Sequence, residues 1–244
     1  MKMRWLAPIL AFALVLFTLG SVEAQSSSKV YRFKRLDSDV SVQPNGDLQI
    51  VETQEYQYVQ GSFTFGFRDI PTARLDRITN IGVSDDTRKY QPTDSTGIPF
   101  SFTTFTTDNG DLEIRWFYPA TRNTSKTFNV AYTVVGGLRY YPDGDQLYWK
   151  PVFPTHYVTL ESSRVTVHLP GTIAPSQLKV EAYTKGSPNG SVSKQIVNGN
   201  TVQFAANNIP DGDDVEVRVQ FPHGIVSGTK PSWQAQADLV DQVK

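Results

Sequence analysis

The chain has 244 residues and no cysteine. That excludes disulfide staples, thiol nucleophiles and cysteine–zinc centres, and leaves a fold held by packing alone. Charge bias is equally scarce: 23 Lys and Arg stand against 24 Asp and Glu, a formal net charge of −1. With no basic patch and no acidic tail, the sequence gives no electrostatic reason for nucleic-acid binding. Histidine is limited to His156, His168 and His223, too scattered for the three or four convergent ligands of a zinc site. No phosphate loop, dinucleotide fingerprint or Gly-x-Ser-x-Gly elbow occurs. Long helical periods are also missing, and only Ala235 to Val240 reads as helix.

What is present begins at the amino terminus. Lys2 and Arg4 precede an uncharged, largely apolar run from Trp5 to Leu19, and the small side chains of Val22 and Ala24 lie just before Gln25. This is the layout of a secretory signal peptide over residues 1–24. A spanning helix needs about 20 apolar residues, whereas this run is shorter and carries Pro8. Cleavage after Ala24 is therefore expected over retention as an anchor. The rest of the chain is expected to be exported, on the extracellular face of the cell membrane or secreted.

The remainder alternates between apolar and polar residues, the mark of half-buried strands. Leu48 and Ile50, Leu112 to Tyr118, Phe128 to Val134, Val165 to Leu169 and Val215 to Phe221 carry the pattern, with Glu113, Arg115, Thr133, His168 and Arg218 on opposite faces. Turn chemistry falls between these runs at Pro44-Asn45-Gly46-Asp47, Asp108-Asn109-Gly110-Asp111, Asn198-Gly199-Asn200 and Ile209-Pro210-Asp211-Gly212. The expected fold is all-β, an antiparallel β-sandwich, with two immunoglobulin-like lobes as an alternative. Pro151 and Pro154 suggest a boundary near Lys150–Tyr157. It would divide a first lobe, 25–157, from a smaller one, 158–226. Residues 227–244 then read as a linker or the start of a tail leading to a transmembrane segment.

Several residues are candidates for chemistry. Glu52 and Gln54 share parity with Leu48, Ile50, Tyr56 and Tyr58, so a regular strand turns them inward. A buried carboxylate needs a partner, and Arg68 is the nearest candidate cation. A structural ion pair, a bulge that turns Glu52 outward and a carboxylate at a cleft are the three readings. Glu52 with Glu55, and Asp143 with Asp145, could be proposed as glycosidase pairs. The first pair has opposite parity and the second has ordinary turn composition, so no catalytic residue is assigned. Asp143 and Asp145 are also weak calcium candidates, because calcium needs six to eight oxygens and only fragments of such a loop are present. Tyr140, Tyr141, Tyr148 and Trp149 lie near turns and could form an exposed surface that binds a sugar or a partner protein. Asn123-Thr124-Ser125 and Asn189-Gly190-Ser191 match the glycosylation pattern. No cofactor is expected.

Taken in order, several segments resemble one family. They are Gly46-Asp47-Leu48-Gln49-Ile50-Val51-Glu52, Phe67-Arg68-Asp69-Ile70-Pro71, Leu147-Tyr148-Trp149, Leu169-Pro170, Phe221-Pro222-His223-Gly224 and Pro231-Ser232-Trp233-Gln234. The chain is similar to the N-terminal domain of a family of predicted bacterial membrane proteins, domain of unknown function number 2207. The resemblance implies a signal peptide, an extracytoplasmic β-rich domain and then a transmembrane segment, which would lie beyond Lys244. It implies no catalytic residues. The expected function is a non-enzymatic binding or interaction module at the cell envelope, with an envelope protein or a glycan as partner, no nucleic acid, and the membrane reached through that anchor. The alternative is a carbohydrate-binding or polysaccharide-active protein that uses clustered aromatics and carboxylates.

Overall fold

The computed structural model describes residues 28–185, 187–188 and 191–242, so the expected signal peptide lies outside the described residues. The strands are, in chain order, β1 (Val30–Val42), β2 (Leu48–Gln60), β3 (Phe63–Ile70), β4 (Arg77–Asp85), β5 (Gln91–Pro92), β6 (Ser101–Thr106), β7 (Leu112–Thr121) and β8 (Thr124–Val135). They continue as β9 (Leu138–Tyr141), β10 (Gly144–Val152), β11 (Leu160–His168), β12 (Lys179–Thr184), β13 (Ser187–Pro188), β14 (Ser193–Asn198), β15 (Thr201–Ile209) and β16 (Val215–Phe221). One helix, α1 (Gln234–Gln242), follows. The protein is all-β, as its alternation predicts.

Three sheets form. A seven-stranded sheet has the order β14-β15-β11-β1-β2-β8-β4, a five-stranded sheet β13-β12-β16-β10-β9, and a four-stranded sheet β3-β7-β6-β5. The β1–β2 hairpin closes on the expected Pro44–Asp47 turn. There Gly46 takes φ +86°, a left-handed conformation that glycine adopts without steric cost, and Asp47 N–H donates to Asn45 Oδ1 at 3.1 Å. Its register sets Val40 opposite Ile50 and Val42 opposite Leu48, so the apolar sets of both strands share one face. The pairing is not wholly antiparallel. β1 runs parallel to β11, with Val40 beside Val167, and β5 runs parallel to β6. Local alternation is the same in either direction, so a crossover of this length leaves no mark in it.

Buried side chains from all three sheets form one core, including Ile50 and Val130, Trp116, and Leu147 and Val217. The boundary expected near Lys150–Tyr157 is crossed by main-chain pairing, β1 with β11 and β10 with β16. Residues 227–242, within the segment expected as a linker or the start of a tail, make hydrogen bonds to the domain. Ser227 N–H donates to Pro44 O at 2.8 Å, and the Trp233 indole donates to Gly136 O at 2.9 Å. The Gln234 side chain, fully buried, accepts from Tyr140 N–H at 2.8 Å and donates to Tyr140 O at 3.0 Å. It therefore takes the place of a strand residue along the free edge of β9.

Candidate functional site

The structure brings Glu52 and Arg68 together. β2 turns Glu52 inward, β3 turns Arg68 inward from another sheet, and neither side chain is exposed. Arg68 Nε lies 2.9 and 2.8 Å from the two carboxylate oxygens, and Tyr132 Oη donates to Glu52 Oε1 at 2.6 Å. Arg68 also donates to the carbonyls of Asp69 and, at 3.0 Å, Lys150, which ties β3 to β10. Burial opposes the guanidinium charge, but the adjacent Glu52 outweighs it and lifts the Arg68 pKa. Every part of this pair has a partner, and it leaves no group free for chemistry.

The four nominated aromatics do not form an exposed surface. Trp149 is buried on the core face of β10, with its ring 6.3 Å from that of Tyr132. Tyr148 packs on Tyr183 and donates its hydroxyl to Glu216. Tyr141 Oη donates to Asp238 Oδ1 at 3.0 Å, and Tyr140 is held by Gln234. The tail beyond Phe221 engages Tyr140 and Tyr141, which the local turn composition does not disclose. The calcium candidates are also committed elsewhere. Asp143 accepts from Gln220 at 2.9 Å and Lys179 at 3.1 Å, and these bonds lower its pKa. Asp145 is buried and accepts from His223 at 2.8 Å. Among the described residues no three His, Asp or Glu side chains gather as a metal site.

A different place has the features of a site. An open cleft of about 350 Å³ runs beside β3, the edge strand of the four-stranded sheet. Period-2 alternation puts Phe63, Phe65, Phe67 and Asp69 on one face of β3, opposite to Arg68. Across the pairing, Asp69 lies opposite Glu113 and Phe67 opposite Arg115. Tyr31, Tyr56 and Tyr58 from β1 and β2 line the other side, and Phe153 to Tyr157 closes the end. Gly66 also borders the cleft, and a Cβ there would lie 2.6 Å from the Trp116 ring. Its bare backbone is what lets that indole pack directly beneath β3.

The closing segment is fixed at several points. Tyr31 Oη donates to His156 O at 2.9 Å, and Thr155 Oγ1 donates to Asp69 Oδ2 at 2.8 Å. The two ring nitrogens of His156 face the carbonyls of Val158 and Asp213 at 2.6 and 3.1 Å. Tyr157 then stands at φ +60° with 65% of its surface exposed, its N–H bonded to Asp211 Oδ1 at 2.8 Å. A left-handed conformation costs a bulky residue about 1–2 kcal/mol. Strain of this kind clusters at ligand sites. The Tyr157 ring is 5.8 Å from that of Phe67. Burial, with Asp211 and Tyr157 nearby, pushes the Tyr31 phenol up to about 12.

The acidic side of the cleft is only partly compensated. Asp69 Oδ1 is buried with no hydrogen-bond partner. Glu113 has a raised pKa: burial lifts it, its 2.5 Å bond to Arg115 opposes this, and Asp69 adds to the rise. Burial and Asp69 likewise raise Asp111, against Lys150 and Arg68. Such a cleft can receive an apolar or cationic group against its rings and a hydrogen-bond donor at its carboxylate. The sequence signal for it is the alternating run Phe63-Thr64-Phe65-Gly66-Phe67-Arg68-Asp69. The rings that face this run come from distant segments.

The model of the N-terminal domain of a predicted membrane protein family, DUF2207, matches residues 32–221. No curated protein sequence matches the chain. Among solved structures, a Legionella pneumophila protein named as a candidate nutrient binder aligns with a TM-score of 0.51 at 8% identity, over 78% of this chain and 66% of that one. A candidate protease from Parabacteroides distasonis aligns at 0.44 and 13% identity, over 79% and 40%. Native yeast LTA4 hydrolase aligns at 0.48 and 13%, over 80% and 30%. At these identities the likenesses concern the fold alone. Among the described residues no helix is long and apolar enough to cross a membrane.

Proposed function

Because the chain belongs to the DUF2207 family of predicted membrane proteins, we propose that residues 28–242 are an extracytoplasmic binding domain of an envelope membrane protein, and that the cleft beside β3 receives its ligand. The proposed role is non-enzymatic. We read the three sheets as one extended sandwich, the seven-stranded sheet against the other two, rather than as two immunoglobulin-like lobes. The observation that carries the binding reading is Tyr157, whose backbone is held in a left-handed conformation and whose largely exposed ring stands beside an aromatic cleft. Rigid aromatic contacts presented before a ligand arrives lose little entropy on binding. The cleft also falls within the usual size of small-molecule sites, about 300–1,000 Å³.

A thermal-shift screen of envelope metabolites, glycans and peptides tests this. A true cleft ligand at about 100 times its Kd should raise the melting temperature of the wild type by about 5 °C, and that of Tyr157→Ala by much less. Equal shifts in both proteins place the ligand elsewhere and end the reading. An alkaline-phosphatase fusion after Gly224 tests export, since the reporter works only outside the cytoplasm. A polysaccharide-active reading has one observation in its favour, the Asp69–Glu113 pair directly opposed on β3 and β7, since retaining glycosidases hold two carboxyls about 5 Å apart. Release of reducing ends from envelope polysaccharide, abolished by Glu113→Gln, would establish that reading in place of the binding one.

A further inference from the structure

We propose that the cleft beside β3 recognises a protonated alkyl amine, with the Asp69 carboxylate as its acceptor and the rings of Phe67 and Tyr157 as its walls. This rests on the binding reading above and adds the chemical class of the ligand. The first observation is the orphaned oxygen. Thr155 satisfies Asp69 Oδ2, while Oδ1 is buried without a donor. Rotation about the terminal torsion of an Asp side chain is soft and roughly two-fold, so either oxygen can meet a ligand.

The second observation is the sign of the missing partner. Three cations close to Asp69 in the sequence or the fold are engaged elsewhere, while Lys29, which also lines the cleft, sits over Phe63. Arg68 is paired with Glu52, Arg115 with Glu113, and Lys150 with Asp214 and Glu216. Asp69 adds to the rise in the pKa of both Asp111 and Glu113, in each case behind burial. A neutral polyol would supply donors and leave the Asp69 charge in place. A protonated amine supplies both.

The third observation is how the rings are used already. Lys29 lies 5.5 Å from the centroid of Phe63, the Arg115 guanidinium 5.3 Å from Phe65, and that of Arg68 4.8 Å from Phe153. The aromatic lining therefore presents its negative faces to cations. Phe67 and Tyr157 stand at the end of the same lining, with Tyr157 open to solvent. A volume of about 350 Å³ admits an amine of several carbons. The amine could be a free metabolite or the lysine side chain of an extended peptide, and both bring the same group to Asp69.

The test is a two-dimensional NMR titration of the exported chain at constant ionic strength and pH 7. The probes are n-butylammonium chloride, a terminally blocked Gly-Lys-Gly tripeptide, n-butanol and methyl β-glucoside. Butylammonium or the lysine peptide is expected to shift Phe67, Thr155 and Tyr157 saturably, with n-butanol about tenfold weaker or worse. Asp69→Asn should weaken the amine on the order of tenfold and leave n-butanol unchanged. Tyr157→Ala should weaken the amine by a smaller factor. The tighter of the two amine probes identifies the source. Equal binding of n-butanol and butylammonium overturns the proposal, as does an Asp69→Asn protein that binds the amine like wild type. Saturable binding of methyl β-glucoside at the same residues, with no amine binding, overturns the amine and leaves the binding reading standing. No response to any probe also removes the amine, and the ligand screen then decides whether the cleft binds at all.

Discussion

The two faces of β3 carry adjacent residues of one strand and obey opposite rules. On the inner face, Gly66 gives way to the Trp116 ring and Arg68 satisfies Glu52. On the outer face, Phe65 and Phe67 line an open cleft and Asp69 keeps an oxygen without a donor. The inner face commits the Arg68 guanidinium to the fold, and the outer face leaves one oxygen of Asp69 unpaired. Stability should therefore respond to substitutions at even positions, and ligand binding to those at odd positions.

Arg68→Ala should produce the largest loss. It strands the Glu52 carboxylate in the core, and removal of one partner from a buried pair costs about 3–5 kcal/mol. Urea melts would measure this. A loss under about 1 kcal/mol would mean that Glu52 finds water or another donor and that the two faces are not so distinct. Gly66→Ala comes next. Its new methyl group meets an indole that has no room to retreat, and overpacking of this kind costs about 1–3 kcal/mol. If Gly66→Ala instead melts like wild type, the indole is less tightly held than the inner-face argument requires.

The outer face should give smaller effects of different sign. The pKa of Glu113 is raised above its ordinary 4.5 by burial and Asp69. The folded state therefore holds that proton more tightly than the unfolded state. The resulting stability is fully present below pH 4.5 and is lost as pH rises through the folded-state value. Glu113→Gln removes this dependence, so its melting temperature relative to wild type should climb as the pH is raised from 4 to 7. A difference that stays flat across that range would show that Arg115 fully compensates the carboxylate. Tyr157→Gly should be the mildest change. It relieves the left-handed strain and should stabilise the fold by about 1 kcal/mol, offset in part by the greater freedom of glycine in the unfolded chain, while it removes the exposed ring. A destabilised Tyr157→Gly protein would show that the ring packs rather than waits.

Much of the inner face was legible in the sequence. The parity of Glu52 with Leu48 and Ile50 points it inward, and Arg68 is the candidate partner because few cations lie near it in the chain. Turns at Pro44–Asp47 and the short helix near Ala235 follow from local chemistry. The parallel partner of β1 does not, since β11 begins more than a hundred residues away and alternation has no direction. The aromatic group Tyr140, Tyr141, Tyr148 and Trp149 is conspicuous in the sequence, but Gln234 and Asp238 from the tail engage the first two, and distant strands and the core engage the others. The cleft has the reverse problem. Its rings come from β1, β2, β3 and the Phe153–Tyr157 segment, and only the alternating Phe63–Asp69 run of β3 gives a local signal. Nothing local announces the positive φ of Tyr157, which depends on the Asp211 carboxylate across the fold.

The grip of Gln234 on Tyr140 has a consequence beyond the tail it fastens. β9 ends the five-stranded sheet, and an unfilled edge there would invite the backbone of another molecule to zip alongside. One amide side chain fills the slot with a donor and an acceptor and offers no next residue to extend from. It works as a stopper on this edge: the backbone of Tyr140 is already paired, and an incoming strand would have to displace the amide to dock there.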